Sequence, residues 1–515
     1  MVWGKIGSTT LTANAEDIDI TTTHNIFSTV LANHIKNTGN IAPALTFNDD
    51  TSSVYVRRYS TDGGSDTTAT EPNLFTDTVG TGTQWFNVTF IANTASKEKL
   101  VINNTCYDRD GGVKRQQMVG KWVNTSSAIT KISWDRANSA GTFASGTNVT
   151  ALGSDITPAP TVPAIPALLP SLPSGSVGGW KLLGRATSSS STQLITATGT
   201  FDKEYLMVLG NSRGFSGNAN QYIRVGTAGS VDGNQNYTYR HNLNGSSSDD
   251  ELAQAEHWIV AGGSTTNPRF SVNYITNTLN QQKLETGHGV NRRNAGVGNM
   301  PELSQSAGKY VNNSLINAVG TFSSSGNQLA GTNGGDPEVI VLGWDPDDTH
   351  TDNFWEELTS KTQTGGNVAT FETDEFSAKK YLWIQAYFKH GTSDNIGNDL
   401  FVNGDTTQKY SQVYCNNGAS GASGANQYQW YCNGFVTGED YFVNTFILNI
   451  DGDEKIGIQQ VTTDNGGNGV PNRRQMGVKY TVTSGQITKV GIKNRGSNTA
   501  SRSADGSWIK VWGAD

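Results

Sequence analysis

Residues 148–155 read NVTALGSD, residues 338–345 read EVIVLGWD, and residues 508–515 read WIKVWGAD. Each is a short apolar alternation closed by Gly-x-Asp, and alternation with a period of two is the mark of a half-buried strand. The same ending recurs three times, so the chain is read first as a repeat. Three starts match the three ends: Trp3, Trp180 and Trp355 lie about 176 residues apart.

Between these marks the correspondence continues in order. FNVTFIANTASKEKLVINNT (86–105) parallels YFVNTFILNIDGDEKIGIQQVT (441–462), and HWIVAGGSTTNPRFSVNYIT (257–276) is a weaker version. Each of the first two reads as a strand, a turn, a Lys near the turn exit and a second strand. A basic segment follows: Lys114-Arg115-Gln116-Gln117-Met118 in copy one and Asn472-Arg473-Arg474-Gln475-Met476 in copy three. Copy two carries Asn291-Arg292-Arg293 and then an insertion of about ten residues. Lys121-Trp122, Lys309-Tyr310 and Lys479-Tyr480 open the next strand, and ITKI (129–132), INAV (316–319) and ITKV (487–490) come next. The modules therefore span 1–155, 180–345 and 354–515. A Pro-rich linker, 156–179, and a short acidic linker, 346–353, separate them. The proline spacer is expected to be extended and semi-rigid, so module one should stand off while modules two and three sit close.

Composition gives the fold class. Glycine fills 59 of 515 positions and charged residues only 16%. Gly and Asn suit the positive-φ positions of tight hairpins and are poor helix formers. The 12 Trp, 17 Tyr and 18 Phe argue against disorder, which depletes aromatics. Short strands such as Val54-Tyr55-Val56 and Tyr381-Leu382-Trp383-Ile384 are bounded by turn clusters including TDGGSD, NGSSSDD and NNGASGASG. The expectation is an all-β chain of three tandem antiparallel β-sandwich domains, jelly-roll-like by size. ELAQAEHW (251–258) is the one segment with a helical signal.

The net charge of −8 and absence of a basic stripe argue against a nucleic-acid partner. No apolar stretch is long enough to insert in a membrane, and Met1-Val2-Trp3-Gly4-Lys5 lacks the pattern of a signal peptide. Synthesis in a cytoplasm without a secretory signal is the corresponding expectation. The seven histidines form no H-E-x-x-H pair, and G-x-S-x-G, P-loop and Cys-x-x-Cys motifs are absent. No catalytic residue, metal ligand or cofactor is therefore assigned. Asp155, Asp345 and Asp515 read as turn residues, since calcium needs six to eight converging oxygens.

Three sets of residues remain as candidate sites. Arg115, Arg292, Arg293, Arg473 and Arg474 form the basic turn, whose forks suit bidentate carboxylate contacts with a neighbouring subunit. Repetition in every copy favours a plainer role, in which the Arg fixes a corner of its own sandwich. Tyr237, Tyr239, Tyr428, Trp430 and Tyr431 are candidates for stacking on sugars, against cross-strand packing as the plainer role. Cys415 and Cys432 are candidates for a disulfide across a hairpin loop.

The Asn-Arg-Arg turn, the Lys-Trp/Tyr strand, ITKI and the terminal Gly-x-Asp together resemble β-sandwich modules in virion structural proteins of marine and freshwater (cyanophage-like) tailed phages. The resemblance is clearest in copies one and three. It implies a non-enzymatic virion component, on the capsid or on the tail, that contacts other virion proteins and forms a homo-oligomer. The alternative is an adhesin whose modules bind a host surface glycan and gain avidity from the tandem.

Overall fold

The computed structural model describes Trp3 to Asp515 apart from 23–26, 76–81, 94–96, 110–111, 138–139, 155–177, 190–191, 213, 247–248, 297, 324–327, 330–335, 390–397, 420, 433–439, 464–469 and 495–502. Asp155 and most of the Pro-rich linker lie outside the described residues. Among those described the chain is all-β and without helix, built from antiparallel sheets of which none closes into a barrel.

In copy one the larger sheet runs, in spatial order, Gly4–Thr10, Asn148–Ser154, Phe27–Thr38, Gln84–Ala92, Lys99–Arg109, Gly112–Trp122, Tyr55–Thr61 and Thr67–Glu71. The smaller sheet runs Asp17–Thr21, Lys131–Asp135, Ala44–Phe47 and Leu74–Phe75. Copy two repeats the order with Lys181–Thr187, Glu338–Trp344, Tyr205–Ser212, Arg269–Thr276, Lys283–Asn291, Glu302–Tyr310, Tyr237–Leu243 and Asp250–Ala255. Copy three repeats it with Glu356–Thr362, Trp508–Ala514, Tyr381–Phe388, Tyr441–Leu448, Lys455–Thr463, Arg473–Tyr480, Tyr410–Asn416 and Ala422–Gln427. Each has its own smaller sheet, such as Leu194–Thr198, Ala318–Ser323, Ala219–Gly226 and Trp258–Thr265 in copy two. ELAQAEHW is not helical: Asp250–Ala255 pairs as an edge strand with Tyr237–Leu243, because the ladder offers bonds that a lone turn lacks.

The repeated sequence marks now have physical causes. The first strand of every copy carries a bulge at one place, between Lys5 and Gly7, Leu182 and Gly184, and Glu357 and Thr359. The extra residue, Ile6, Leu183 or Leu358, packs against the core of its own sheet pair. That leaves no room opposite, which is why the last strand needs glycine. A Cβ on Gly343 or Gly513 would overlap the Leu183 or Leu358 side chain and crowd Lys203 or Lys379. Gly513→Ala is therefore expected to cost about 1–3 kcal/mol through overpacking. Denaturant unfolding checks this, and no change in the midpoint would refute the packing account.

The Lys-Trp/Tyr mark belongs to a corner built three times. The hydroxyl of Tyr55 reaches the Asp50 carbonyl at 3.0 Å, Tyr237 reaches that of Asp232 at 3.0 Å, and Tyr410 reaches that of Asp405 at 2.7 Å. The same aspartates accept from Trp122 Nε1 at 2.9 Å, the Tyr310 hydroxyl at 3.0 Å and the Tyr480 hydroxyl at 2.9 Å. Burial works against ionisation of Asp50, Asp232 and Asp405, yet these and other hydrogen bonds hold all three below the ordinary carboxylate value. A depressed folded-state pKa gives stability that is complete above the unfolded value near 3.9 and lost as pH falls through the folded value. Denaturation midpoints should therefore fall below about pH 4, and Asp405→Asn should flatten that fall. A wild-type profile that stays level to pH 2 would contradict this.

Both faces of each large sheet are buried along its central strands. In Lys99–Arg109, Val101 faces the core between the copy's own two sheets, while Leu100, Ile102 and Cys106 face a second core. Leu284 and Val290 of copy two and Ile456 and Ile458 of copy three enter the same second core. The three large sheets thus pack back to back about one axis. The contacts are cyclic: Phe86 meets Tyr205 at 5.8 Å, Phe270 meets Tyr381 at 6.0 Å, and Phe442 meets Phe27 at 5.5 Å. Copy one meets two, two meets three, and three meets one through equivalent positions, which is a closed head-to-tail ring. Module one therefore does not stand off. Trp3 lies 4.7 Å from Trp383 and 5.0 Å from Trp512, because its apolar sheet face has nowhere else to be buried. The acidic linker is pinned as well: Lys203 and His350 engage Asp348, and Lys5 Nζ donates to the Pro346 carbonyl at 2.7 Å.

Candidate functional site: the polar end of the axis

At one end of the axis the apolar packing gives way to polar layers. Asn104, His288 and Gln460 come first, with Gln460 Nε2 donating to Asn104 Oδ1 at 3.3 Å and lying 3.5 Å from His288 Nε2. Beyond them Gln117, Gln305 and Gln475 occupy equivalent positions on Gly112–Trp122, Glu302–Tyr310 and Arg473–Tyr480. Three hairpin turns close the end: Asp62-Gly63, Asn244-Gly245 and Asn417-Gly418, each with both residues at positive φ. The glycines are also needed for contact. A Cβ on Gly63 would overlap Asp249, one on Gly245 would overlap Cys415, and one on Gly418 would overlap Asp66.

Arg115 and Arg473 sit one alternation from the glutamines and make the seams. Arg115 donates from Nε and Nη2 to both Asp249 oxygens at 2.7 Å, and from Nη1 to Gln305 Oε1 at 3.0 Å. Arg473 donates from Nη2 to Asp66 Oδ1 at 2.5 Å and from Nη1 to Gln117 Oε1 at 3.0 Å. Each reaches the next copy around the ring. Burial opposes the Asp249 charge, but the Arg115 bonds outweigh it and hold the carboxyl below its usual value. At the equivalent point the third seam has no ion pair: Leu303 stands where the other copies have arginine and packs on Val413 and Cys415. Gly421 replaces the aspartate there, immediately before the edge strand Ala422–Gln427.

The sequence-derived candidates divide accordingly. The basic segment is not a turn in copies one and three; Arg115, Arg473 and Arg474 lie within strands, Arg474 paired from both sides and the other two from one. Arg474 stays in copy three, donating to Asn416 Oδ1 at 2.6 Å over the Tyr414 ring. Arg292 and Arg293 occupy the copy-two insertion instead. Arg292 Nε lies 3.7 Å from Glu454 of copy three, and Arg293 pairs with Glu302 of its own copy. The structural equivalent of Arg115 is therefore Leu303, which the apparent match of Asn291-Arg292-Arg293 concealed.

Four of the five aromatic candidates are not presented to a sugar. Tyr237 and Trp430 are fully buried, Tyr239 nearly so, and Tyr431 packs on Tyr414. Tyr237 is the corner tyrosine of copy two, and Trp430 Nε1 donates to the Lys479 carbonyl at 3.0 Å. Tyr428 alone is exposed, at 55%. Cys415, Cys432 and Cys106 are all thiols outside any disulfide. The first two do not bridge because Cys415 faces the seam with copy two while Cys432 faces the core of copy three. Sequence reading missed Asp249 and Asp66, which sit in polar turn clusters that look solvated; only their recurrence just before an edge strand marks them.

The chain matches no known protein family, and no curated protein matches it. Among solved structures, domains LG4-5 of the mouse laminin alpha1 chain cover 68% of this chain and 92% of their own, at 9% identity and a TM-score of 0.15. Pseudomonas aeruginosa OccK5 (OpdH) covers 94% and 97% at 11% identity and a TM-score of 0.13. OmpTdeltaL8, a loop-deleted outer membrane protein of Vibrio cholerae, covers 88% and 99% at 9% identity and a TM-score of 0.10. Likenesses this low carry no argument about fold or function.

Proposed function

We propose that the chain is a non-enzymatic structural protein of a virus particle, a capsid decoration, head appendage or tail-associated component acting through protein–protein contacts. In this reading it comprises three tandem jelly-roll-like sandwiches, at 1–155, 180–345 and 354–515. Support for the jelly roll comes from strand order: in each copy the first strand lies beside the last and the last beside the third, while in the other sheet the second pairs with the penultimate in copies two and three and with Lys131–Asp135 in copy one.

The observation that carries the functional reading is the closed ring. The chain devotes its aromatic faces and ionic seams to locking three copies into one body with three equivalent outer sides. Such a body suits a lattice of repeated subunits, which it can contact at several equivalent points at once. The glycan-adhesin alternative loses support because Tyr237 and Trp430 serve internal packing. A homo-oligomer stays part of the proposal, and light scattering tests it: a multiple of the 55.1 kDa chain mass supports it and the single mass removes it. The main experiment is cryo-electron microscopy of purified virions labelled with antibody fragments against residues 1–155. Label on the capsid places the chain at the head, and label on the tail makes it a tail component. No label on any particle would sink the virion reading.

A further inference from the structure

Under the three glycine turns lies a small polar cavity of about 20 Å³, lined from all three copies. Its charged and amide side chains are Arg115, Arg473, Gln117, Gln305 and Gln475, each more than nine-tenths buried. Their hydrogen bonds leave a definite surplus. Gln305 Oε1 accepts from Arg115, Gln117 Oε1 accepts from Arg473, and Gln475 Oε1 accepts from Gln305 Nε2. Among the described residues, the Nε2 groups of Gln117 and Gln475 donate to nothing. Both residues line the cavity and neither nitrogen is sealed off from it, so an acceptor bound there would complete their bonding.

The surrounding field has a sign. Asp249 and Asp66 are held by the arginines but do not line the cavity, while both guanidiniums do. Arg115 and Arg473 also add to burial in holding the His288 imidazole, in the layer below, down to about 3. A cation would meet N–H groups and positive charge first. The cavity has room for about one or two water-sized spheres and is half open toward solvent, so a small ion suits it better than phosphate, sulfate or an organic acid.

We propose that this cavity binds a single halide-sized inorganic anion on the pseudo-threefold axis, held by the side-chain amides of Gln117 and Gln475 between Arg115 and Arg473. The ion joins donors from copies one and three and screens the two guanidiniums from each other where the seams meet. The role is structural and independent of where on a particle the protein sits.

The test uses the full-length chain with bromide as probe. Crystals grown in sodium bromide should show an anomalous peak at the bromine edge between Gln117 Nε2 and Gln475 Nε2. In solution, sodium chloride or bromide should raise Tm over sodium gluconate of equal ionic strength by about 1–3 °C and saturate. Gln475→Leu should abolish that difference while leaving the general salt response. A Tm identical in halide and gluconate overturns the proposal, with or without a crystal peak, since a peak alone means binding at crystal concentration only. Absence of the bromide peak also overturns it and assigns the cavity to water. The wild-type measurements decide the matter even if the variant fails to fold.

Discussion

Arg115→Leu is expected to lower the unfolding free energy by about 3–5 kcal/mol, and adding Asp249→Ala is expected to restore most of the loss. The single change removes three hydrogen bonds and leaves the Asp249 side chain, fully buried, without its counter-charge. The double change gives this seam the leucine and the uncharged edge residue found between copies two and three, with Arg240 and Asn242 standing here where Val413 and Cys415 meet Leu303. Replacing a buried ion pair by packed apolar groups is often close to neutral, whereas breaking one is costly. Chemical denaturation of the four proteins in the cycle measures the coupling. A double variant no more stable than Arg115→Leu would show that the apolar seam depends on its own surroundings and is not transferable.

The pH dependence of the same cycle has a definite sign. In the wild type the Asp249 carboxyl is depressed by Arg115, so its contribution is present above about pH 3.9 and lost as pH falls through the folded value. Without Arg115, burial, which raises the pKa, is opposed only by the Asn242 hydrogen bond and the more distant Arg240 charge. The penalty of Arg115→Leu should then be smallest in acid and grow as pH rises above about 4. A penalty independent of pH would mean that lost packing, not the stranded carboxylate, is responsible.

Trp383→Ala is expected to cost about 3–5 kcal/mol or more and to loosen all the copies rather than one. Its ring lies 4.7 Å from Trp3, 5.8 Å from Trp355, 5.2 Å from Phe446 and 5.3 Å from Trp512. Trp3 and Trp355 begin copies one and three, so the cavity left by truncation opens on the junction of two copies. The lost hydrogen bond matters less, because Asn444 Oδ1 still accepts from Gln385 Nε2 at 3.1 Å. Thermal unfolding should show a large fall in Tm for Trp383→Ala, and a change within about 0.5 kcal/mol for Tyr428→Ala on the exposed surface. Equal effects would mean that the axial core is not what holds the ring together.

Sequence by itself determined the all-β class and the threefold recurrence of strands, because both rest on local chemistry. Strand alternation, turn residues at positive φ, and the Gly-x-Asp and Lys-Trp/Tyr marks are written within a few residues of where they act. The terminal glycine was legible as a mark, although its cause, a bulged Ile6, Leu183 or Leu358 on the partnering strand, was not. Only the tertiary structure decided that the copies form a ring. An outward aromatic such as Phe86 or Phe270 looks in sequence like any strand residue, and burial on both faces of a sheet becomes visible only when another sheet covers it. The candidate site was half legible for the same reason. Arg115 and Arg473 stood out by repetition, but their partners Asp249 and Asp66 lie 134 and 407 residues away, and Leu303 carries no charge to mark it. Pairing across such separations is set by how three sheets close around an axis, and no local pattern records that closure.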